Sequence, residues 1–369
     1  MGEDIEGQTE TTTETDEVLD EAVDEELVPE VTYDVTSYGS DPDVEGLVRR
    51  MNRSEILIPP FQRGYVWRQP EASSFIESLL LGLPVPGVFF ATDPDTNKHL
   101  VIDGQQRLKT LQFFYAGFFN PKESEKRHRV FTLQKVQRRL EGKTYSNLDE
   151  RDRIRLDNSI IHATIVKQTA PAEDDTSIYH IFARLNSGGR RLAEQEIRVA
   201  LYHGPLMDML RTINEHASWR SIFGKPHSRL KDQELALRFL ALHRNADQYS
   251  RPMAEFLNLF AGRNRNPGDA VLAEMQMQFQ RCSDLFWAAL GTEAFRPTRA
   301  LNTAVFDSCM VGLAHRLEIG SEPDGAAVKL AYQTLIEEPD YIEAISRSTA
   351  DETFVQRRIE MSKTVFAAA

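Results

Sequence analysis

The stretch of residues 99–111 constrains the fold most, because its pattern predicts a strand that passes directly into a helix. Three consecutive apolar residues, 100–102, are typical of a short buried strand. Asp103 and Gly104 then indicate a turn. Apolar residues recur at helical spacing from Leu108 to Phe118. The sequence therefore predicts a strand–turn–helix unit centred on the Asp103-Gly104 pair.

This turn has the chemistry of an anion-binding site. Backbone N–H groups at the start of a helix converge at the positive end of the helix dipole, which favours phosphate. Arg107 lies one turn into the helix and could add a charge-assisted contact to that phosphate. Asp103 could hold a Mg²⁺ ion or a water, or it could be a plain helix N-cap. A purely structural turn would have the same spacing, so both interpretations stay open.

A second unusual segment, residues 59–68, combines two prolines, three aromatic residues and two arginines. Aromatic rings beside Arg and Gln suit stacking on a base while a phosphate is bound. We expect Gln62 and Arg63 to contact a ligand. Phe61 and Trp67 could instead anchor the segment in the core, and this interpretation is favoured for Trp67.

A third segment, residues 178–202, predicts two helices joined by a basic loop. The apolar residues at 178, 181, 182 and 185 share one helical face. Residues 186–189, Asn-Ser-Gly-Gly, end the first helix, and Arg190 and Arg191 follow. The loop could close over a phosphate, or it could be a solvated connection between two helices.

Charge is distributed very unevenly along the chain. Residues 1–45 hold 17 acidic side chains and no Lys or Arg, whereas the remaining 324 residues hold 39 acidic and 43 basic side chains. We expect residues 1–42 to form a disordered acidic tail, because they lack a periodic apolar pattern. The tail could simply be solubilising, or it could compete with nucleic acid for a basic groove.

The remaining sequence predicts two domains. Short strands and helices alternate over residues 43–203, with Asp43 as the N-cap of the first helix, and residues 204–369 are helical throughout. We expect an α+β domain with a small mixed sheet, followed by an all-α domain. Cys282 and Cys309 lie in apolar helical sequence, which favours reduced core residues.

The composition is that of an ordinary globular protein. No apolar run approaches the roughly 20 residues that span a bilayer, and the N-terminus lacks a signal-peptide pattern. We therefore expect a cytoplasmic protein with no membrane partner.

Three blocks carry a family resemblance. They are residues 58–67, Ile-Pro-Pro-Phe-Gln-Arg-Gly-Tyr-Val-Trp; residues 101–111, Val-Ile-Asp-Gly-Gln-Gln-Arg-Leu-Lys-Thr-Leu; and residues 182–198, which include Phe-Ala-Arg-Leu-Asn-Ser-Gly-Gly and Gln-Glu-Ile-Arg. In this order they resemble the N-terminal domain of GmrSD-type modification-dependent restriction endonucleases, which is ParB/sulfiredoxin-like. The helical remainder, with residues 232–239, is similar to the downstream part of stand-alone members. Full-length enzymes carry an HNH nuclease motif that is not visible here, so we do not expect this chain alone to cleave DNA.

The resemblance implies a nucleoside-triphosphate site at the Asp-Gly-Gln-Gln-Arg loop. It makes Asp103, Gln105, Gln106 and Arg107 catalytic candidates, Gly104 a phosphate contact, and Asp103 a Mg²⁺ ligand as well. The further nucleotide-binding candidates are Gln62, Arg63, Arg184, Asn186, Gly188, Gly189 and Arg198. The DNA-sensing candidates are Phe61, Gln62 and Tyr65, with Phe61 at a position where many relatives have Tyr.

The predicted function is a nucleotide-dependent sensor or regulator of restriction-type DNA defence. The implied cofactors are a nucleoside triphosphate, whose base the sequence does not specify, and Mg²⁺. The candidate partners are DNA, including modified DNA, a nuclease acting in trans, and a second copy of the chain. The alternative is a non-catalytic ParB-like module that binds DNA or a partner, and a metal-dependent nuclease is a lower alternative.

Overall fold

The computed structural model describes residues 18–19, 34–58, 65–93, 96–121, 127–170, 179–181 and 193–369. The chain divides into two compact units. We call Val31–Tyr202 the sheet unit, and His203–Ala369 together with Met1–Glu30 the helical unit. None of the helices in the described ranges combines the length and the apolar character needed to cross a bilayer.

The described strands are β1 (Val18–Leu19), β2 (Asp34–Ser40), β3 (Ile56–Leu57), β4 (Val88–Thr92), β5 (His99–Asp103), β6 (Ala163–Ala170) and β7 (Leu301–Asn302). The helices of the sheet unit are α1 (Val44–Asn52), α2 (Gln69–Leu81), α3 (Gln105–Ala116), α4 (Glu150–Asp157) and α5 (Glu194–Leu201). Those of the helical unit are α6 (Pro205–Asn214), α7 (Ala217–Phe223), α8 (Lys231–Asn245), α9 (Met253–Arg263), α10 (Asp269–Leu290), α11 (Thr303–Ile319), α12 (Gly325–Glu337), α13 (Pro339–Ser346) and α14 (Glu352–Ala367).

The sheet unit is built on a mixed sheet with the strand order β2-β6-β4-β5-β3. The pairs β2–β6 and β4–β5 are antiparallel, whereas β6–β4 and β5–β3 are parallel. In β5, residues 100–102 are buried, as the run of apolar residues predicted. The predicted strand–turn–helix unit is present, because α3 begins two residues after β5 ends. The expected α+β region followed by a helical region is confirmed.

Helix α1 shows how local sequence sets an element boundary. The Asp43 side chain accepts a hydrogen bond of 2.5 Å from the Gly46 backbone N–H, so the predicted N-cap is confirmed. The apolar stripe Val44, Leu47 and Val48 is buried in the core of the unit.

Strand β2 lies within the stretch predicted as a tail, which ended at residue 42. It forms an edge of the sheet and pairs with β6. Residues 36–39 are exposed, and an edge strand with little buried surface needs few apolar residues. The missing apolar alternation explains why the sequence pattern did not reveal this strand. Further along the chain, Val130 and Phe118 form an isolated antiparallel bridge.

Two residues of the acidic segment are also described. Val18–Leu19 pair in parallel with Leu301–Asn302 of the helical unit. Residues 1–17 and 20–33 lie outside the described residues, so the predicted disorder of the tail stays a prediction there.

The helical unit buries both cysteines, as predicted. Cys282 and Cys309 are free thiols in the core, and burial raises the pKa of each. A neutral thiol packs there as a small apolar side chain.

A charged cluster lies in the core of the helical unit. Arg238 of α8 donates from Nε and Nη2 to the Asp307 carboxylate of α11, with an Nη2–Oδ2 distance of 2.5 Å. Arg358 of α14 places Nη2 at 3.7 Å from the same Oδ2 and donates to the Thr349 carbonyl. Asp307 and Arg358 are fully buried. One carboxylate therefore compensates two buried guanidinium groups and joins three helices.

We predict that Asp307→Asn lowers the free energy of unfolding by about 3–5 kcal/mol, because two buried cations lose their counter-charge. Urea denaturation followed by circular dichroism measures this. The control is Asp208→Asn, which removes an exposed partner of Arg211 and should change stability by less than about 1 kcal/mol. Equal effects of the two variants would contradict a structural role for the buried cluster.

Candidate functional site

The turn between β5 and α3 requires glycine. Gly104 has φ +101°, a conformation that side chains with a Cβ rarely adopt. A Cβ at this position would also lie 2.5 Å from Cγ1 of Val88 in β4. Gly104 itself is the N-cap of α3 and provides no side-chain cap. Asp103 is therefore not the N-cap, which removes one of the two roles that the sequence allowed for it.

Asp103 instead pairs with Arg107, one turn further along α3. The Arg107 Nη2 atom donates to Asp103 Oδ2 at 2.8 Å and to the Gly87 carbonyl at 2.8 Å. The Arg107 side chain is 15% exposed and that of Asp103 is 53% exposed. Arg107 thus fastens the start of α3 to the residue before β4, while half of the Asp103 carboxylate surface faces solvent.

Gln106 connects the turn to the aromatic segment. Its Oε1 atom accepts hydrogen bonds from the backbone N–H groups of Val66 at 3.0 Å and Trp67 at 3.3 Å. The Thr110 hydroxyl donates to the Gln106 carbonyl and shares a 2.7 Å hydrogen bond with the Tyr65 hydroxyl. Residues 65–67, the described end of the first sequence block, therefore contact residues 106 and 110 of the second block on α3.

Tyr65 is held in an aromatic cluster. Its ring packs edge-on against Phe113 at 5.0 Å and Phe119 at 5.7 Å between ring centroids. Burial raises the pKa of Tyr65 to about 12, so the phenol stays neutral at physiological pH. Trp67 packs against Phe75 of α2 and against the core, as expected of a core anchor. Tyr65, one of the predicted sensing residues, is thus fixed in place by the aromatic cluster and by the Thr110 hydroxyl.

Arg198, the described candidate of the third block, is fully buried on α5. Its Nη1 atom donates to Gln195 Oε1 at 2.6 Å, and its Nη2 atom lies 3.7 Å from Glu194 Oε2. Gln105 is also mostly buried. These contacts show Arg198 in a local charge network of its own helix, and its predicted role in nucleotide binding stays a prediction.

Seven predicted site residues lie outside the described residues. They are Phe61, Gln62, Arg63, Arg184, Asn186, Gly188 and Gly189. Within the described ranges, no group of three or more His, Cys, Asp or Glu side chains is placed to hold a metal ion. The described carboxylate at the turn is that of Asp103, so its role as a Mg²⁺ ligand stays a prediction.

The sequence pattern did not reveal the partners that the turn contacts across the sheet. Gly87 supplies the carbonyl that accepts from Arg107, and Val88 fills the space beside Gly104. The prolines at 84 and 86 indicate a turn before Gly87, so the sequence does show where the connection from α2 ends. No local pattern shows which residue of the turn they contact.

The geometry defines a small mixed-sheet domain. At the start of its helix α3, the Asp103-Gly104 turn is paired with Arg107, and Gln106 binds the backbone of residues 66 and 67. Residues 44–203 match the family model of the GmrSD restriction endonuclease N-terminal domain. The match supports the resemblance of the three blocks to this domain over residues 44–203. The search of curated proteins found no match to the chain.

We predict that Gly104→Ala destabilises the sheet unit more than Gly117→Ala. Both glycines have positive φ at the two ends of α3, but a Cβ at Gly117 would meet nothing within 4 Å. Gly117→Ala should cost about 1 kcal/mol from backbone strain alone. Gly104→Ala should cost at least about 1 kcal/mol more, because Val88 must move. Chemical denaturation of both variants tests the difference, and equal costs would contradict the close approach of the turn to β4.

We also predict that Gln106→Leu loosens the segment that precedes α2. The substitution removes the acceptor for two backbone N–H groups, so amide hydrogen exchange at Val66 and Trp67 should accelerate by about tenfold or more. Gln112→Leu is the matched control on the same helix, since Gln112 contacts the Asn52 side chain instead. Unchanged exchange at residues 66 and 67 in Gln106→Leu would show that Gln106 does not hold this segment.

Proposed function

We propose that residues 44–203 form the nucleotide-dependent sensing domain of a restriction-type DNA-defence protein. The match to the GmrSD restriction endonuclease N-terminal domain supports the defence role. The observation that supports nucleotide-dependent sensing is the position of Gln106. This residue belongs to the proposed phosphate-binding turn and also accepts the backbone N–H groups of Val66 and Trp67.

The proposed nucleotide site lies at the start of α3. The first turn of an α-helix has N–H groups without intrahelical acceptors, and the helix dipole favours an anion there. Both contacts of Arg107 use Nη2, so the guanidinium is oriented by the protein before any ligand arrives. We assign its Nη1 group to the phosphate and Gly104 to close backbone approach.

Asp103 is the proposed carboxylate ligand of Mg²⁺, which would supply charge neutralisation for phosphoryl transfer. Its half-exposed side chain suits this role better than a buried one. Gln106 is committed to the segment at residues 66 and 67, so we assign it to positioning and assign Gln105 to orienting an attacking water.

The proposed sensing residues are Phe61, Gln62 and Tyr65. Tyr65 shares a hydrogen bond with Thr110 of α3, so a change at the nucleotide site and a change in this segment act on the same helix. The other proposed nucleotide contacts are Gln62, Arg63, Arg184, Asn186, Gly188, Gly189 and Arg198. Modified DNA, a nuclease acting in trans and a second copy of the chain are the proposed partners.

A second candidate function is a ParB-like binding module without catalysis. The pairing of Asp103 with Arg107 favours it, because each charge already compensates the other. Such a module would bind DNA with a strong dependence on salt and would need no nucleotide.

The test is phosphate release from ATP, GTP and CTP by the full chain with and without DNA. We expect DNA-stimulated release from at least one nucleotide, and Asp103→Asn should reduce the rate about 100-fold because a charge-stabilising ligand is lost. Glu150→Gln is the control, since Glu150 is an exposed carboxylate in the first turn of α4.

Thermal unfolding of both variants checks that the fold is intact. Release that is unchanged in Asp103→Asn would overturn the assignment of the turn. If no nucleotide is hydrolysed while DNA is bound, the non-catalytic module is the correct function. Arg107→Ala is a poorer probe, because it also removes the contacts to Gly87 and Asp103.

A further inference from the structure

A short hairpin follows α3 and presents an unusual surface. The Phe119 N–H donates to the Arg129 carbonyl at 2.7 Å, and the Phe131 N–H donates to the Gly117 carbonyl at 2.9 Å. Phe118 and Val130 form the antiparallel bridge between these bonds. Side chains alternate across a strand, so Phe118 and Val130 lie on one side of the hairpin and Phe119 on the other.

The outer side of the hairpin is aromatic and exposed. Phe118 is 41% exposed and Val130 is 52% exposed. The His128 ring packs edge-on against Phe118 with 5.5 Å between centroids. We call Phe118, His128 and Val130 the hairpin ridge.

The inner side of the hairpin connects the ridge to the proposed site. Phe119 packs against Phe131 at 5.1 Å and against Tyr65 at 5.7 Å between ring centroids. The Arg129 guanidinium carbon lies 5.7 Å from the centre of the Phe119 ring. The hairpin is therefore held against the same aromatic cluster that fixes Tyr65, and the ridge has a firm support.

The charge of the hairpin favours an anionic partner. In the sequence, residues 117–131 hold four Lys or Arg side chains and two Glu side chains, so the segment has a net charge of +2 with His128 neutral. Arg127 and Arg129 are exposed. Cations beside exposed rings favour an anionic partner that also offers flat apolar faces. A nucleic-acid strand with unstacked bases has both properties, because its phosphates pair with Arg and its bases stack on aromatic side chains.

We propose that the hairpin binds an unpaired nucleotide strand that crosses the ridge, with Phe118 and His128 as the stacking surface on the outer side and the exposed guanidinium groups of Arg127 and Arg129, of which Arg129 lies beside Phe119, as the phosphate contacts. The proposal deepens the proposed sensing function, because it extends the nucleic-acid surface from Tyr65 across Phe119 to the ridge. It assigns this surface a preference for single-stranded or locally opened DNA over a closed duplex.

Fluorescence anisotropy of a labelled oligothymidylate of about 20 nucleotides tests the proposal. The titration uses the full chain without nucleotide, beside a duplex of the same length. Wild type should bind the single strand more tightly than the duplex. Phe118→Ala should weaken single-strand binding about 5- to 100-fold, which is the effect expected for loss of one stacked base.

Arg129→Ala should weaken binding and reduce the slope of log affinity against log salt by about 0.7, the value for one phosphate contact on a single strand. Ile154→Ala is the matched control for Phe118, because Ile154 is a 52% exposed apolar residue on α4. Arg53→Ala is the control for Arg129, because Arg53 is 67% exposed beside Glu55. Neither control should change the affinity by more than about twofold.

Single-strand affinity that is equal in wild type, Phe118→Ala and Arg129→Ala would overturn the proposal. A change in the mass of the chain in solution for Phe118→Ala, with unchanged DNA affinity, would also overturn it and identify the ridge as an interface between copies. Because binding is measured without nucleotide, a failure of phosphate release in the earlier test leaves this result intact, so the two proposals fail separately.

Discussion

The Arg107 guanidinium holds together the junction on which the geometry of the sheet unit depends. It donates to the Gly87 carbonyl before β4 and to the Asp103 carboxylate after β5, while the absence of a side chain at Gly104 lets the turn approach Val88. Strand β4 lies in the middle of the sheet, between β6 and β5. The charge-assisted contacts of Arg107 therefore fix the start of α3 relative to β4 and β5. The positions of the other side chains on α3 depend on this anchor.

Helix α3 makes contacts with other segments of the sheet unit at both of its ends. Its first turn holds the charged glycine turn, and the side chains of Gln106 and Thr110 hold Val66, Trp67 and Tyr65. Beyond its last turn, the hairpin at Phe119 packs on the same Tyr65 ring. Two sequence segments about 40 residues apart are thus joined through one helix. The sensing function that we propose needs energetic coupling between these segments, and a packed helix that contacts both is one physical route for it.

Local patterns predicted the parts of this arrangement that depend on neighbouring residues. The apolar run at 100–102 revealed β5, the Asp-Gly pair revealed the turn, and Asp43 revealed the start of α1, because each depends on residues within one or two helical turns. The contacts of Gly87 with Arg107 and of Thr110 with Tyr65 join distant segments, and no local pattern specifies such pairs. The same limit applies to β2, whose position at an edge leaves it with little buried surface and a weak apolar signal.

The structural and catalytic interpretations of the Asp-Gly-Gln-Gln-Arg loop are compatible. A guanidinium that is already bound to Gly87 and Asp103 loses little freedom when an anion approaches it, so its structural contacts suit the phosphate-binding role that we propose for Arg107. Transition-state charge is stabilised most by groups that need no reorganisation. In the proposed site, Asp103 would exchange part of its attraction to Arg107 for a metal ion, and its 53% exposed side chain leaves the carboxylate accessible for that exchange. The turn holds Arg107 rigidly and leaves the Asp103 carboxylate half exposed. This arrangement suits both the structural role of the turn and the catalytic role that we propose for it.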